Sequence, residues 1–124
     1  MITKVKIVSI TVSDQQKALE FYTEKLGFTL KTDQPMGDDK GTRWIELALP
    51  EGGAIVNLFP PQSADAKIGG FSNILFTTND VQKTYEELKA RGVEFTEPPT
   101  EQHWGTYCIF ADPDDNRFVL SSNT

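Results

Sequence analysis

Hydrophobic and polar positions follow the same plan in the two halves of this chain. Residues 8–12 form an apolar, β-branched run typical of a buried strand, and Ser13 or Asp14 after it is a suitable helix cap. Gly27 then has the composition expected just beyond a helix end. Between cap and glycine, apolar side chains recur at helical spacing, at Ala18, Leu19, Tyr22 and Leu26. The pattern predicts a strand followed by an amphipathic helix.

Residues 74–92 repeat this plan. An apolar strand leads into a cap at Asn79 and Asp80, and Gly92 ends the helical pattern. Asp80 follows Asp14 by 66 residues, and Gly92 follows Gly27 by 65, so the two copies differ by one residue in length. The apolar face of the second helix is predicted at Val81, Tyr85 and Leu88. The chain therefore carries an internal repeat.

The rest of the pattern completes each half as β-α-β-β-β. In the first half the strands are predicted at 1–12, 28–33, 43–49 and 54–59, with a hairpin loop at 34–42. In the second half they are predicted at 71–78, 93–95, 106–111 and 116–121, with a break at 97–100. We interpret the chain as a single domain, 1–124, with module one at 1–60, a linker at 61–70 and module two at 71–124. One module cannot bury both its helix and its sheet, so two must pair, either within the chain or by exchange with a second copy.

Composition and charge narrow the classes of partner. The chain has 124 residues, of which 38% are hydrophobic, enough for one domain with a core. Its net charge of −6 argues against nucleic acid, because phosphate binding needs a basic face. No apolar stretch is long enough for a membrane span or a signal peptide. A single cysteine excludes an internal disulfide and fits a cytoplasmic location. Nucleic acid and membrane are therefore not expected as partners.

Three segments resemble one known family. They are FYTEKLGF at 21–28, the repeated strand and helix near residue 80, and WGTYCIFADPDDNRFVL near the end. Together they resemble the vicinal oxygen chelate superfamily, the glyoxalase, bleomycin-resistance and extradiol-dioxygenase group, with Asp115 in place of a usual glycine. The resemblance implies an α+β fold in which two βαβββ modules form a curved, cup-shaped mixed sheet with helices outside. It also implies a homodimer.

The resemblance allows the family's metal site to be tested position by position. Catalytic relatives hold one divalent metal with four His or Glu ligands, two from each half. The corresponding positions here are Ile7, Asn57, Asn73 and Val119. Isoleucine and valine cannot ligate a metal, and neutral amides alone are poor ligands for transition metals. We therefore expect no metal and no other cofactor.

The same positions, taken as facing the cup, predict a binding site by strand alternation. The predicted ligand-binding residues are Asn57, Phe59, Asn73, Trp44, Trp104, Tyr107, Ile109 and Arg117. The two tryptophans are either cup walls or core. Apolar walls with a few polar groups suit an amphipathic or aromatic small molecule.

His103 and Cys108 are the remaining candidates for chemistry. The single histidine lies in a predicted loop, where a solvated side chain is the usual case, and Cys108 is typical of a small core residue. Up to about 16 Å of extended strand separates them, so a Cys–His dyad would need the loop to fold back or a second subunit to intervene. No catalytic residue is predicted.

Three functions remain open at this point. The first is a non-catalytic protein, similar to the bleomycin-resistance class, that binds a small molecule in the cup. The second is a superfamily enzyme, of lyase, isomerase or dioxygenase type, acting on a small metabolite. The third is an accessory subunit whose cup binds nothing specific. The missing metal ligands and the aromatic cup favour the first.

Overall fold

The computed structural model describes residues 1–122, so Asn123 and Thr124, the end of predicted module two, lie outside the described residues. The chain divides into two compact units, Met1–Ile68 and Gly69–Thr124, and this boundary falls inside the predicted linker. Each unit has the order β-α-β-β-β and its own four-stranded sheet. The predicted α+β class with two βαβββ modules is confirmed. Within the described range, no helix is long and apolar enough to cross a membrane.

Unit 1 is a mixed sheet with one short helix packed against it. Its elements are β1 (Ile7–Thr11), α1 (Gln15–Glu20), β2 (Thr29–Pro35), β3 (Arg43–Ala48) and β4 (Ile55–Phe59). The sheet order is β1-β4-β3-β2, with β1 parallel to β4 and the other neighbours antiparallel. The parallel pairing follows from the crossover through α1, which packs against β4.

The start and end of α1 follow the predicted signals. Asp14 is the N-cap, and its side chain accepts a hydrogen bond from the Lys17 amide at 3.0 Å. After Glu20 the helix continues as a π-helical turn, Phe21–Lys25, and Gly27 follows with a φ of +80°. That left-handed conformation favours glycine, which explains why a glycine stops the helix.

A glutamine joins the beginning of α1 to the sheet. The Gln15 amide donates to the carbonyl oxygens of Arg43 at 2.6 Å and Leu58 at 2.8 Å, and its oxygen accepts from the Arg43 amide at 3.0 Å. These bonds satisfy backbone groups where β3 begins and β4 nears its end. The side chain therefore fixes the helix relative to two strands.

Unit 2 repeats the arrangement with longer elements. They are β5 (Gly70–Thr78), α2 (Val81–Ala90), β6 (Glu94–Gln102), β7 (Gly105–Ala111) and β8 (Asn116–Ser122). The sheet order is β5-β8-β7-β6, and α2 packs against β6, β7 and β8. Asp80 caps α2 by accepting from the Lys83 amide at 3.0 Å, as Asp14 does for α1. The internal repeat predicted from the two caps is thus present in the structure.

The turn at 112–116 explains the departure from the family's glycine. Asp112 accepts hydrogen bonds from the amides of Asp114 at 2.9 Å and Asn116 at 2.8 Å. Asp115, at the position of the family's glycine, has a φ of +62°. Aspartate is one of the few other residues that adopt this left-handed conformation. The Asn116 side chain also accepts from the Gly69 amide at 3.1 Å, which fixes the start of unit 2 to this turn.

Two predicted strands differ from the structure. Strand one was predicted to begin at Met1, but β1 begins at Ile7, and the six preceding residues are exposed. Its partner β4 begins at Ile55 after two glycines, so no neighbouring strand extends far enough to pair with residues 1–5.

The second difference concerns β6. A strand at 93–95 and a break at Pro98 and Pro99 were predicted, whereas β6 runs through both prolines to Gln102. It is an edge strand with register shifts on either side of Glu97, so the prolines remove no ladder bond that the sheet depends on.

Candidate functional site

Each sheet has one face covered by its helix and one face without a helix. In unit 1 the helix-covered face is apolar and buried, and its side chains are Ile10, Val12, Ile45, Leu47, Val56 and Leu58. Strand alternation places the intervening residues on the opposite, helix-free face. The helix-free face of unit 1 consists of Ile7, Ser9, Thr11, Trp44, Glu46, Ile55, Asn57 and Phe59. Three predicted site residues, Asn57, Phe59 and Trp44, therefore share this face.

Asn57 is held by neighbours within its own sheet. Asn57 is only 1% exposed. Its side-chain nitrogen donates a hydrogen bond to the Ile45 carbonyl at 3.0 Å, and its side-chain oxygen accepts one from the Ser9 hydroxyl at 2.9 Å. Both ends of the amide thus have a partner, which satisfies a buried polar group. In unit 1 this side chain bridges β1, β4 and β3 and supports the sheet itself.

The aromatic residues of unit 1 contact each other beside a carboxylate. The rings of Trp44 and Phe59 meet edge-on with centroids 5.7 Å apart. The Trp44 indole N–H donates to Glu46 at 3.1 Å, and Glu46 lies directly opposite Asn57 in the register of β3 and β4. Glu46 is not among the predicted site residues, although it lies on the same strand as Trp44. Its position two residues after Trp44 was the available signal.

In unit 2 the helix-covered face is an aromatic cluster. Phe110 contacts Phe76, Phe95 and Phe118, with ring centroids 5.3–6.2 Å apart, and Cys108 on the same face is fully buried. The helix-free face of unit 2 consists of Phe71, Leu75, Tyr107, Ile109, Arg117, Val119 and Ser121, which are paired by register across β5, β8 and β7. Three predicted site residues, Tyr107, Ile109 and Arg117, lie here together.

Much apolar surface on this face is exposed. Phe71 is 52% exposed and Leu75 is 60% exposed. Trp104, in the two-residue turn between β6 and β7, is 49% exposed and stacks on Tyr107 with ring centroids 5.6 Å apart. Of the two alternatives for Trp104, core and wall, the structure therefore shows a surface ring extending the helix-free face. Exposed apolar groups gathered in this way mark interaction surfaces.

Asn73 lies in an irregular part of β5. The register passes from Phe71 opposite Arg117 to Leu75 opposite Val119, so two extra residues of β5 bulge from the ladder. Asn73 is exposed and has a φ of +64°. Regular alternation, on which its predicted orientation depended, does not hold at this position. A left-handed backbone supplies a local reason for asparagine here, and its part in ligand binding stays a prediction.

The four family ligand positions do not form a metal donor set. Ile7 and Val119 have hydrocarbon side chains, and Asn57 already bonds through both its nitrogen and its oxygen. Across residues 1–122, no three His, Cys, Asp or Glu side chains gather closely enough to hold an ion. The chemistry of these residues does not fit a divalent metal of the family type.

His103 and Cys108 are placed in different environments. His103 is exposed in the turn between β6 and β7, whereas Cys108 is buried on the helix-covered face. Burial raises the pKa of the Cys108 thiol to about 11. At neutral pH the thiol is protonated, which makes it a poor nucleophile and a poor ligand.

A separate cleft of about 620 Å³ lies in unit 1. It is bounded by the residues around the start of α1, the loop at 36–42 and residues 59–62. The loop is held by Asp38, whose carboxylate accepts from the amides of Lys40 at 3.2 Å and Thr42 at 2.9 Å. Only Phe59 is common to this cleft and the predicted site.

Comparisons with known proteins agree with this architecture. A family model described as the Glyoxalase/Bleomycin resistance protein/Dioxygenase superfamily matches residues 4–120. The protein YetH of Bacillus subtilis is 37% identical to this chain, and the alignment covers 97% of this chain and 98% of YetH. The protein YurT of Bacillus subtilis is 42% identical, and the alignment covers 88% of this chain and 91% of YurT.

Solved structures give the same result. A superfamily member from Sphaerobacter thermophilus has a TM-score of 0.89 at 36% identity, covering 98% of both chains. TnmS3, an antibiotic binding protein from Streptomyces sp. CB03234, has a TM-score of 0.86 at 33% identity, covering 99% of this chain and 98% of its own. The chain therefore belongs to the glyoxalase/bleomycin resistance protein/dioxygenase superfamily.

Proposed function

We propose that this protein binds a small amphipathic or aromatic molecule on a helix-free sheet face, without the divalent metal of catalytic relatives. The observation that carries the proposal is the exposed aromatic and aliphatic surface of unit 2. Trp104 stacked on Tyr107, with Phe71 and Leu75 exposed beside the same strands, gives flat apolar area at little entropic cost. Leaving such area in water is unfavourable, and covering it with a ring removes that cost.

Two further observations support binding over catalysis. Of the four family ligand positions, two hold hydrocarbon side chains and two hold neutral amides, of which Asn57 already bonds through both its nitrogen and its oxygen. The described part of the chain gathers no alternative donor set. TnmS3, which resembles this chain over nearly its whole length, is described as an antibiotic binding protein. We propose by this similarity that the ligand is an organic compound of comparable type. We also propose the homodimer that the family resemblance implies.

A thermal-shift screen tests the proposal. Aromatic acids, amides and amines are added to protein that has been treated with a chelator, and intrinsic tryptophan fluorescence is recorded in parallel. We expect a ligand that raises Tm and quenches fluorescence, with Trp104→Leu losing much of the quenching. Trp44→Leu tests the helix-free face of unit 1 in the same way, and each variant's own Tm corrects for altered stability.

Metal content and mass are measured on the same preparation. We expect less than about a tenth of an equivalent of nickel, zinc, iron or manganese by elemental analysis. Light scattering is expected to give twice the 13.9 kDa chain mass. A full equivalent of metal together with loss of ligand binding on chelation would contradict the metal-free proposal, and a 13.9 kDa particle would contradict the dimer.

A further inference from the structure

Arg117 carries an unused hydrogen-bond donor on the helix-free face of unit 2. It is the second residue of β8, a central strand, with Phe71 and Ala111 as its register neighbours on the two flanking strands. The Arg117 Nε atom is buried and has no hydrogen-bond partner among residues 1–122. A guanidinium stays charged at all accessible pH values, so deprotonation cannot remove this unpaired donor.

Arg43, the first residue of β3, shows what a completed two-pronged contact of an arginine looks like. Arg43 holds Asp33 through two parallel bonds, Nε to Oδ1 at 3.0 Å and Nη2 to Oδ2 at 2.6 Å. Arg117 has the same two donors, but only Nη2 is used, bonding Asp115 at 3.2 Å. The fork of Arg117 is therefore half occupied.

The existing contact to Asp115 is weak. The side chains of Arg117 and Asp115 are 42% and 60% exposed, and exposed ion pairs of this kind contribute little because solvent screens them. Because Nε is buried in the present side-chain conformation, an incoming carboxylate reaches it only after the guanidinium turns outward. Nε and Nη2 would then form two parallel bonds in place of one long bond. Bidentate contacts are the stronger arrangement for arginine and a planar anion.

The surroundings determine what is attached to that carboxylate. Phe71 is 52% exposed at the register position of Arg117, and Val119 and Ile109 continue the same face toward Tyr107. An acid bound at Arg117 therefore has an apolar surface beside it on which a ring can lie. The net charge of −6 opposes anions only weakly, since at physiological ionic strength charges beyond about 8 Å are largely screened.

We propose that the ligand of this protein is a planar aromatic carboxylate whose acidic group binds Arg117 through Nε and Nη2. This inference rests on the proposed function and adds the ligand's charge and its point of attachment. It also predicts that Asp115 is a competitor for the same guanidinium.

The test compares three probes with one ring system: 2-naphthoate, the neutral 2-naphthamide and the cationic 2-naphthylmethylammonium. Each is titrated into ¹⁵N-labelled protein by NMR. We expect 2-naphthoate to bind about tenfold or more tightly than 2-naphthamide, and its binding to shift the Arg117 Nε–H resonance downfield. The cation should bind most weakly at this site.

Variants assign the selectivity to one side chain. Arg117→Gln should make the acid and the amide bind equally, whereas Arg91→Gln, with the same loss of charge at the end of α2, should keep the tenfold difference. Asp115→Asn should strengthen 2-naphthoate binding by a few-fold, because the competing carboxylate is removed while asparagine accepts the left-handed backbone. The amide spectrum of each variant shows whether it is folded.

The outcomes separate this inference from the proposed function. Equal affinities of the acid and the amide for the unmodified protein would overturn the role of Arg117 and leave aromatic binding standing. Absence of binding by all three probes at millimolar concentration would overturn both. An acid preference that survives Arg117→Gln would place the carboxylate elsewhere and contradict the inference.

Discussion

Replacing Asn57 by aspartate changes one buried atom and tests whether this side chain is a structural bridge. In the native protein the amide nitrogen donates to the Ile45 carbonyl at 3.0 Å. An aspartate puts an oxygen there, so an attractive contact becomes a repulsive one at a site only 1% exposed. The Ser9 hydroxyl can still donate to the other oxygen. The substitution therefore isolates the donor role of the native amide.

The magnitude depends on pH. Leaving the Ile45 carbonyl without its donor costs about 1–3 kcal/mol, and burying an ionised carboxylate costs about 1.4 kcal/mol for each unit by which its pKa rises. We expect Asn57→Asp to cost roughly 3–5 kcal/mol at pH 7.5 and about 1–2 kcal/mol at pH 4, where the protonated acid donates to Ile45. The folded pKa of the introduced carboxyl is raised, so the folded state binds more protons and stability falls as pH rises above the unfolded pKa.

Urea unfolding followed by tryptophan fluorescence at several pH values measures this difference. Asn73→Asp is the matched control, because Asn73 is exposed and its substitution should show little dependence on pH relative to the native protein. A variant at position 57 that is equally stable at pH 4 and pH 7.5, relative to that control, would refute the bridging role.

Three other substitutions or treatments have definite expectations. Gly69→Ala should lower the free energy of unfolding in urea by about 2–4 kcal/mol, because φ is +87° and the new Cβ would lie 2.7 Å from the Asp114 carbonyl oxygen. The control Gly53→Ala, at a φ of +89° with open space around the new Cβ, should lower it by only about 1 kcal/mol. Arg43→Lys should cost about 0.5–1 kcal/mol, since a lysine cannot reproduce the two-pronged contact with Asp33; equal stability would show that the fork contributes nothing. Cys108 should resist alkylation at pH 8 in the folded protein and react fully in denaturant, because it is buried and its pKa is about 11; rapid labelling of the native state would contradict this.

The repeat was predictable because its signals are local. Asp14 and Asp80 cap their helices through their own side chains, and Gly27 and Gly92 both adopt positive φ, so sequence position and conformation are linked directly. The strands of each unit were predictable because both halves of the sequence show the same β-α-β-β-β order. The predicted break at 97–100 was wrong, although it also used a local signal, because prolines normally end strands. Pro98 and Pro99 fit within β6 only because β6 lies at a sheet edge.

The candidate site was predictable only where strands are regular. Alternation correctly grouped Asn57 with Phe59, and Arg117 with Val119, because β4 pairs regularly with β1, and β8 with β7, at these residues. It could not describe Asn73, because alternation assumes a regular strand and two residues of β5 bulge from the ladder here. Hydrogen bonds between distant residues, such as those of Gln15 to β3 and β4, depend on tertiary structure and were likewise inaccessible.

An organic ligand is proposed to bind a helix-free sheet face without a metal. The most direct measurement maps the backbone amide shifts of chelator-treated, ¹⁵N-labelled protein as the strongest binder from the thermal-shift screen is added. We expect the largest shifts at Tyr107, Ile109 and Val119, with the amides of α2 nearly unchanged. Saturable shifts confined to α2, or binding that occurs only when a divalent metal is restored, would contradict the account.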